Sequence, residues 1–306
     1  DWSSDVCSSD LKQKNLKKLF LINQLNRIMD VLTGFKTLLS SVPQNIINLI
    51  SNQNTEVVWL IMLILCFLSI LVFLRLFGYV GLYVYSAIAI IAANIQVLKQ
   101  ANFNFFSSIN EKIIPFYEPS PIALGTILFA STFLCTDILS EYYGKEKARK
   151  NVLIGFCSFF LMTILMLVTI GIQPAEDEWV SMVQESLAIL FTPMTSIFVA
   201  SMIAYLISQY FDIWFFSYLK TVSSNKLLWL RNNVSTAVSS LIDNTIFSIF
   251  AWIILNPNPF PLSDVIMTFI LGVYLLRVFI AILDTPFIYL AKYFIPEEKN
   301  SSPEMG

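Results

Sequence analysis

The segment 57-VVWLIMLILCFLSILVFL-74 decides the fold class of this chain. It contains no charged residue, and as a helix it would extend for about 27 Å, close to the ~30 Å hydrocarbon core of a bilayer. Six further apolar segments follow it. The sequence therefore predicts an all-α polytopic membrane protein with about seven transmembrane helices. Their predicted positions are 57–77, 79–98, 122–141, 151–171, 191–212, 233–254 and 266–289.

The composition excludes several other classes of protein. Of the 306 residues 56% are hydrophobic and 13% are charged, and this charged share is about half that of a soluble domain. A soluble domain, an extended nucleic-acid binder and a disordered chain do not fit these values. The formal net charge of -2 favours no polyanionic partner. We therefore expect the lipid bilayer, and no nucleic acid, as a partner.

Familiar catalytic and metal chemistry has little support. The chain has no histidine, which excludes a Ser-His-Asp triad, an HExxH zinc site and an imidazole proton relay. Four cysteines show no CxxC spacing, and three of them lie in apolar runs, as buried reduced thiols do. We expect no enzyme activity, no catalytic residue, no metal and no cofactor. The cysteines are Cys7, Cys66, Cys135 and Cys157.

The N-terminal tail, residues 1–50, differs from the rest of the chain. We interpret its first ten residues, DWSSDVCSSD, as foreign or mistranslated sequence, because they lack the features of a signal peptide. Lysines and then apolar residues at helical spacing predict an amphipathic surface helix within residues 11–50. A poorly ordered tail is the alternative. The apolar positions are Leu16, Leu19, Phe20, Leu25, Ile28, Met29, Leu32 and Phe35.

The connections between the apolar segments predict the orientation of the chain. Residues 142–150 and 213–232 carry clustered Lys and Arg, whereas residues 172–186 and 256–264 contain neither. The positive-inside rule places the basic connections and the C-terminal tail, residues 293–306, in the cytoplasm. Seven spans would then put the basic N-terminal tail outside, although its charge suits the cytoplasmic leaflet. We base the predicted orientation on the short connections and not on the tail. Residues 179–190 are expected to form a helix on the outer surface.

Seven charged residues fall within or at the ends of the predicted spans, where each needs a partner, a wet cavity or a functional role. Asp243 and Arg277 lie near the midplane on consecutive antiparallel spans, so an ion pair between them is plausible. Such a pair could bind a substrate or could only join two helices. The seven are Arg75, Asp137, Glu141, Asp212, Asp243, Arg277 and Asp284.

Neutral polar residues extend this pattern. A polar stripe with three- and four-residue spacing on the sixth span could face a cavity or hydrogen bond to another helix. On the third span, Asp137 and Glu141 lie one turn apart. They could share a proton, or pair with Lys145, Lys147 or Arg149. The stripe comprises Asn232, Thr236, Ser239, Ser240, Asp243 and Asn244, and the second span adds Asn94 and Gln96.

Five strings in the membrane domain, residues 57–292, carry a resemblance to a known family. They are 93-ANIQVLK-99, 136-TDILSEYYGKEKAR-149, 204-AYLISQYFD-212, 228-LWLRNNVSTAVSSLIDNTIF-247 and 284-DTPFIYLA-291. In this order they resemble the queuosine precursor transporter family, a group of vitamin-uptake-type membrane transporters. Ser240 is a departure, because relatives often carry Gln at that position.

The resemblance implies an importer in the cytoplasmic (inner) membrane that takes up 7-cyano-7-deazaguanine and its aminomethyl analogue. It also implies a six-helix core, formed by the second to seventh spans, with one additional N-terminal helix. From the chemistry of the base we expect Asp243 to bind its guanine-like edge, in a cavity lined by five other polar residues. Four carboxylates would serve gating or proton coupling. The cavity residues are Arg277, Asn94, Gln96, Asn232 and Ser239, and the carboxylates are Asp137, Glu141, Asp212 and Asp284.

The sequence leaves three other functions open. A substrate-capture subunit would need a separate energising ATPase, since the chain lacks a GxxxxGK[ST] phosphate loop. An intramembrane aspartyl protease could use Asp137 and Asp243, although neither lies in a GxGD context. A structural or regulatory membrane protein is the third. The sequence does not decide whether the protein forms a homo-oligomer.

Overall fold

A computed structural model describes residues 41–113, 121–191 and 194–296, together with Met29, Thr33 and Lys36. The chain divides into two units, residues 1–58 and 59–306. In the first unit, residues 41–51 are helical and largely exposed. The segment that we interpret as foreign, and most of the predicted amphipathic helix, lie outside the described residues.

The rest of the described chain is built almost entirely from helices. The long helices are α1 (Thr55–Gln96), α3 (Gly125–Tyr142), α4 (Lys145–Gly171), α6 (Met194–Val222), α7 (Leu228–Ile249) and α9 (Gly272–Phe294). Shorter ones are α2 (Asn104–Ile113), α5 (Glu178–Phe191) and α8 (Leu262–Asp264). Strand β1 (Gln100–Ala101) pairs antiparallel with β2 (Ile122–Ala123). The predicted all-α class is therefore confirmed, and residues 179–190 are helical as expected.

Each of the seven predicted segments falls on a helix. Of the helices formed by described residues, five are long and apolar enough to cross a membrane. Helix α1 accounts for the first two predicted segments. Helix α3 is not among the five, because its 18 residues include Asp137, Glu141 and several hydroxyl side chains. Nearly all of α3 is buried, so neighbouring helices shield these polar groups from lipid. The protein is a multi-pass membrane protein.

The 42-residue helix α1 is interrupted at Gly78. The backbone there has φ 60° and ψ −146°, a conformation that is essentially restricted to glycine. A straight helix of this length would extend for about 60 Å, twice the thickness of the hydrocarbon core. The break at Gly78 divides α1 into two arms, which match the predicted segments 57–77 and 79–98.

Four helices surround the polar interior. Helix α7 contacts α6 and α9, and α3 in turn contacts α6 and α9, so that these four helices form a closed ring. Helix α4 packs on the outside of this ring, against α3 and α6. The connections at residues 143–144 and 223–227 lie at one end of the ring, which we call the basic end. The β1–β2 pair lies at the opposite end.

We expect the substitution Gly78→Ala to destabilise the protein by about 1–3 kcal/mol, because alanine disfavours this backbone conformation. Thermal unfolding of the detergent-solubilised protein would measure the loss. Gly171→Ala is the matched control, since a Cβ atom at Gly171 would meet nothing within 4 Å. Equal stability of the two variants would contradict the role assigned to Gly78.

Candidate functional site: a polar ridge inside the helix ring

Helix α7 carries an unusual number of buried polar side chains. They recur at helical spacing, so they form one ridge that faces the other three helices of the ring. The sequence left open whether this stripe faces a cavity or joins helices. In the structure, one part of the stripe faces a cavity and another part hydrogen bonds to the neighbouring helices. The ridge comprises Arg231, Asn232, Ser235, Thr236, Ser239, Ser240, Asp243, Asn244 and Ser248.

The predicted ion pair between Asp243 and Arg277 is present. The Arg277 Nη1 atom donates a hydrogen bond to Asp243 Oδ2, and both side chains are at most 10% exposed. Ser208 Oγ donates to Asp243 Oδ1 at 3.0 Å. The guanidinium carbon of Arg277 lies 5.3 Å from the centre of the Phe129 ring, within the usual range of a cation–π contact. Helices α3, α6, α7 and α9 thus meet at this pair.

A cavity of about 230 Å³ lies beside the ion pair, toward the end of the ring that is opposite the basic end. It is slightly smaller than pockets for drug-sized ligands, which begin at roughly 300 Å³, and it suits a small flat molecule. Asp243 and Arg277 are the only charged residues among the described residues that line it. Asn94, Asn244, Ser201 and Ser248 add neutral polar groups, and the aromatic lining consists of Phe129, Phe247, Trp252 and Phe269.

Two π-helical segments carry part of this aromatic lining. Phe250–Ile254 continues α7 and contains Trp252, while Val265–Leu271 precedes α9 and contains Phe269. The centres of the two rings are 5.3 Å apart. Asn244 Nδ2 donates to the carbonyl oxygens of Phe269 and Ile270 and so joins α7 to the second segment. Neither aromatic residue was predicted from the sequence, because a regular helical period does not reveal a π-helical turn.

Nearer the basic end, three carboxyl groups lie close together inside the ring. Asp137 from α3, Asp212 from α6 and Asp284 from α9 are each no more than 1% exposed. Three donors from the ridge of α7 bind them: Thr236 Oγ1 to Asp137 Oδ2 at 3.1 Å, Ser239 Oγ to Asp212 Oδ1 at 2.8 Å, and Asn232 Nδ2 to Asp284 Oδ1 at 2.7 Å. We call these three aspartates the carboxyl cluster.

Glu141 is separate from the carboxyl cluster and forms ion pairs at the basic end. Its Oε2 atom lies 2.6 Å from Arg231 Nη2 and 3.1 Å from Lys220 Nζ. The prediction that Lys145, Lys147 or Arg149 would pair with the α3 carboxylates was therefore wrong. Those three residues begin the next helix, and Arg149 binds Glu146 on its own helix. Glu141 instead joins α3 to α6 and α7.

The structure divides the predicted site residues between these regions. Asn94, Asp243 and Arg277 line the cavity, whereas Gln96, Asn232 and Ser239 do not. Asn232 and Ser239 instead bind carboxylates of the cluster. Gln209, which was not among the predicted site residues, is buried. Its side-chain amide bonds to the hydroxyl groups of Thr132 and Thr136 and so joins α6 to α3.

Comparisons with known proteins identify the family of this chain. A family model described as "Putative vitamin uptake transporter" matches residues 123–291. The chain belongs to this transporter family. A relative named "Probable queuosine precursor transporter", from Bacillus subtilis (strain 168), is 30% identical over 245 residues, or 80% of this chain and 97% of the relative. No solved structure matches the chain. The matched range in this transporter contains α3, α7, most of α9 and the carboxyl cluster, and the predicted family is confirmed.

We expect Arg277→Met to destabilise the transporter by about 3–5 kcal/mol, because it leaves the buried Asp243 carboxylate without its ion-pair partner. The double variant Asp243→Leu, Arg277→Met should recover much of this loss. Thermal unfolding in detergent would measure both. Lys226→Met is the control, since Lys226 is exposed. A double variant less stable than Arg277→Met would contradict this account of the pair.

Proposed function

We propose that this protein imports a queuosine precursor of the 7-deazaguanine type across the cytoplasmic (inner) membrane, and that the base binds in the aromatic cavity at Asp243 and Arg277. The observation that carries the proposal is the composition of the cavity. A carboxylate and a guanidinium lie together among four aromatic rings. The name of the 30% identical relative supports the substrate class.

The chemistry of the base matches these groups. A deazaguanine presents a ring N–H and an amino group on one edge, and a carboxylate can accept both hydrogen bonds. Each oxygen of Asp243 already accepts one bond, from Ser208 and Arg277, but a carboxylate oxygen has capacity for a second. The carbonyl group of the base suits Arg277 or the Asn94 amide. Its flat faces suit stacking on aromatic rings.

The charges that line the cavity favour a neutral ligand. Asp243 and Arg277 balance each other, and the other described residues that line the cavity are uncharged. A base with a cationic aminomethyl group would require a further carboxylate to neutralise it. We therefore propose that 7-cyano-7-deazaguanine binds more tightly than the aminomethyl analogue.

We further propose an orientation for this site. The positive-inside rule assigns the basic end of the ring and the C-terminus to the cytoplasm. The cavity then faces the outside, and the ion pairs of Glu141 with Arg231 and Lys220 close the cytoplasmic end. Release of the base into the cell would require these ion pairs to separate.

Purified protein in proteoliposomes tests whether the chain transports by itself. We expect uptake of radiolabelled 7-cyano-7-deazaguanine, with competition from the unlabelled base. Binding without uptake would instead support the alternative of a substrate-capture subunit that depends on a separate ATPase. Absence of binding would overturn the proposed function.

We expect Asp243→Asn to reduce the affinity for 7-cyano-7-deazaguanine by about tenfold to a hundredfold, which corresponds to the loss of a charged hydrogen bond. Equilibrium binding to the purified variant measures this. Asp264→Asn makes the same chemical change at an exposed position and serves as the control. Unchanged affinity in a folded Asp243→Asn variant would contradict the role of Asp243.

We expect Trp252→Leu to weaken binding of the same base by about 1–3 kcal/mol, the usual contribution of one aromatic stacking contact to a base. The control is Trp179→Leu, because Trp179 is 67% exposed on α5 and lies outside the cavity. A difference in affinity of this size between the two variants supports stacking in the cavity. Equal affinities would place the base elsewhere.

A further inference from the structure

The carboxyl cluster has more hydrogen-bond acceptors than donors. Each of its aspartates receives a donor from α7 on one oxygen, while Asp137 Oδ1, Asp212 Oδ2 and Asp284 Oδ2 have none. Asn232 is fully buried and donates to Asp284, yet its own Oδ1 atom also lacks a donor. Buried polar atoms are normally hydrogen bonded. Four such acceptors lie together here, and a ligand that is a hydrogen-bond donor or a cation would satisfy them.

The contact between Asp137 and Asp212 identifies where that ligand binds. Their carboxyl groups lie within hydrogen-bonding distance of each other. Two ionised carboxylates have no hydrogen to form such a bond, whereas one bound proton supplies it. Asp284 is close enough to interact electrostatically with both. Among the described residues no group of three or more His, Cys, Asp or Glu side chains has an arrangement that could hold a metal ion, and a proton is the ligand that two neighbouring carboxyl groups can share.

The surrounding charges leave the cluster without a cation. On α3 the nearest charged residue is Glu141, which is paired with Lys220 of α6 and Arg231 of α7. On α7 and α9, Asp243 and Arg277 are paired with each other. The charged residues of α4 lie near its first turns, at the basic end. Within the described part of the chain, none of the three aspartates forms an ion pair.

Two uncharged titratable groups on the ring helices lie beside residues outside the cluster. The Cys135 thiol on α3 is a neighbour of Ser86 of α1. The phenol oxygen of Tyr205 on α6 lies beside Gly155 of α4, where it would be 2.7 Å from a Cβ atom. Neither group neutralises the cluster. The proton is therefore held by the aspartates themselves.

Helix α6 connects the cluster to the cavity. Ser208 binds Asp243 and Asp212 accepts from Ser239, and these two α6 residues lie one turn apart. Along α7, Ser239 and Asp243 are also one turn apart, about 6 Å. A change in the protonation of Asp212 therefore acts on the same two helices that hold Asp243. This is the connection that coupling between two binding sites requires.

We propose that the Asp137–Asp212 pair, with Asp284 beside it, binds the proton whose inward movement drives uptake of the base. This inference rests on the proposed function, because it assigns the energy source of that transport. The proton enters from the cavity side, is held between the two carboxyl groups, and leaves toward the basic end when the ion pairs of Glu141 separate. Asn232, Thr236 and Ser239 position the carboxyl groups.

Proteoliposomes with purified protein test the proposal. We expect wild-type uptake of 7-cyano-7-deazaguanine to be stimulated when the outside is more acidic than the inside. Asp212→Asn and Asp137→Asn should still bind the base and exchange it across the membrane without a gradient, but lose the whole of this stimulation. Asp264→Asn, the exposed control, should keep it. The conservative variant Asp212→Glu should recover part of it.

Several outcomes would overturn the proposal and leave the proposed function intact. These are wild-type uptake that a pH gradient does not change, stimulation by a sodium gradient instead, or full pH stimulation in both asparagine variants. Failure of wild-type protein to bind the base would overturn the proposed function instead.

A measurement that needs no substrate keeps the proton site testable in that case. Infrared spectroscopy of the purified protein detects protonated carboxyl groups through their C=O stretching band, which shifts in deuterated water. We expect such a band at neutral pH that is lost in Asp212→Asn or Asp137→Asn and is retained in Asp264→Asn. The absence of the band from the wild-type protein at neutral pH would overturn the proton site.

Discussion

The ion pair between Asp243 and Arg277 is the contact on which the arrangement of the helix ring depends. A charged side chain inside a membrane domain is costly unless an opposite charge lies beside it. This requirement brings α7 and α9 together, while Ser208 adds α6 and the Phe129 ring adds α3 to the same point. The four helices of the ring therefore meet at this contact, and the cavity lies beside it. Removal of either charge alone would leave the other buried and unpaired.

The polar ridge of α7 shows how one helix face can serve two purposes. Its half beyond Asp243 lines the cavity beside aromatic rings, whereas its half toward the basic end donates hydrogen bonds to the carboxyl cluster. Helix–helix contacts and a binding site are thus formed by one continuous row of small polar residues. Asp212 and Ser208 lie on the same helix, so α6 contacts both regions. Alternating access in a transporter requires a connection of this kind between the cavity and the closed end.

Much of the fold was predictable because its signals are local. The length of the apolar segments predicted the helices, and the distribution of Lys and Arg distinguished the two ends of the helix ring. The Asp243–Arg277 pair was predicted because the two residues lie near the midplane of consecutive antiparallel spans. Other features were not predictable. Trp252 and Phe269 enter the cavity through π-helical turns, which no periodic pattern reveals. Glu141 forms ion pairs with Arg231 and Lys220 of other helices and not with Lys145 or Lys147, which are closer to it in the sequence. Asn232 and Ser239 bind the carboxyl cluster and do not line the cavity. They share a helix face with Asp243 but lie nearer the basic end of α7.

The sequence by itself determined that this chain is an all-α membrane protein of the vitamin uptake transporter family, and that each of its few intramembrane charges needs a partner, a wet cavity or a functional role. A long apolar helix is strongly stabilised in a bilayer, and an unpaired charge there is strongly destabilising. Because both free energies are large, both features can be recognised from the sequence. Only the tertiary structure decided which charges neutralise each other. Three carboxyl groups from α3, α6 and α9 come together without an ion-pair partner in the described part of the chain, and the spacing of these residues in the sequence does not predict it. The arrangement arises from the packing of helices that are distant in sequence, and it distinguishes the paired charges from the carboxyl groups at which a proton is proposed to bind.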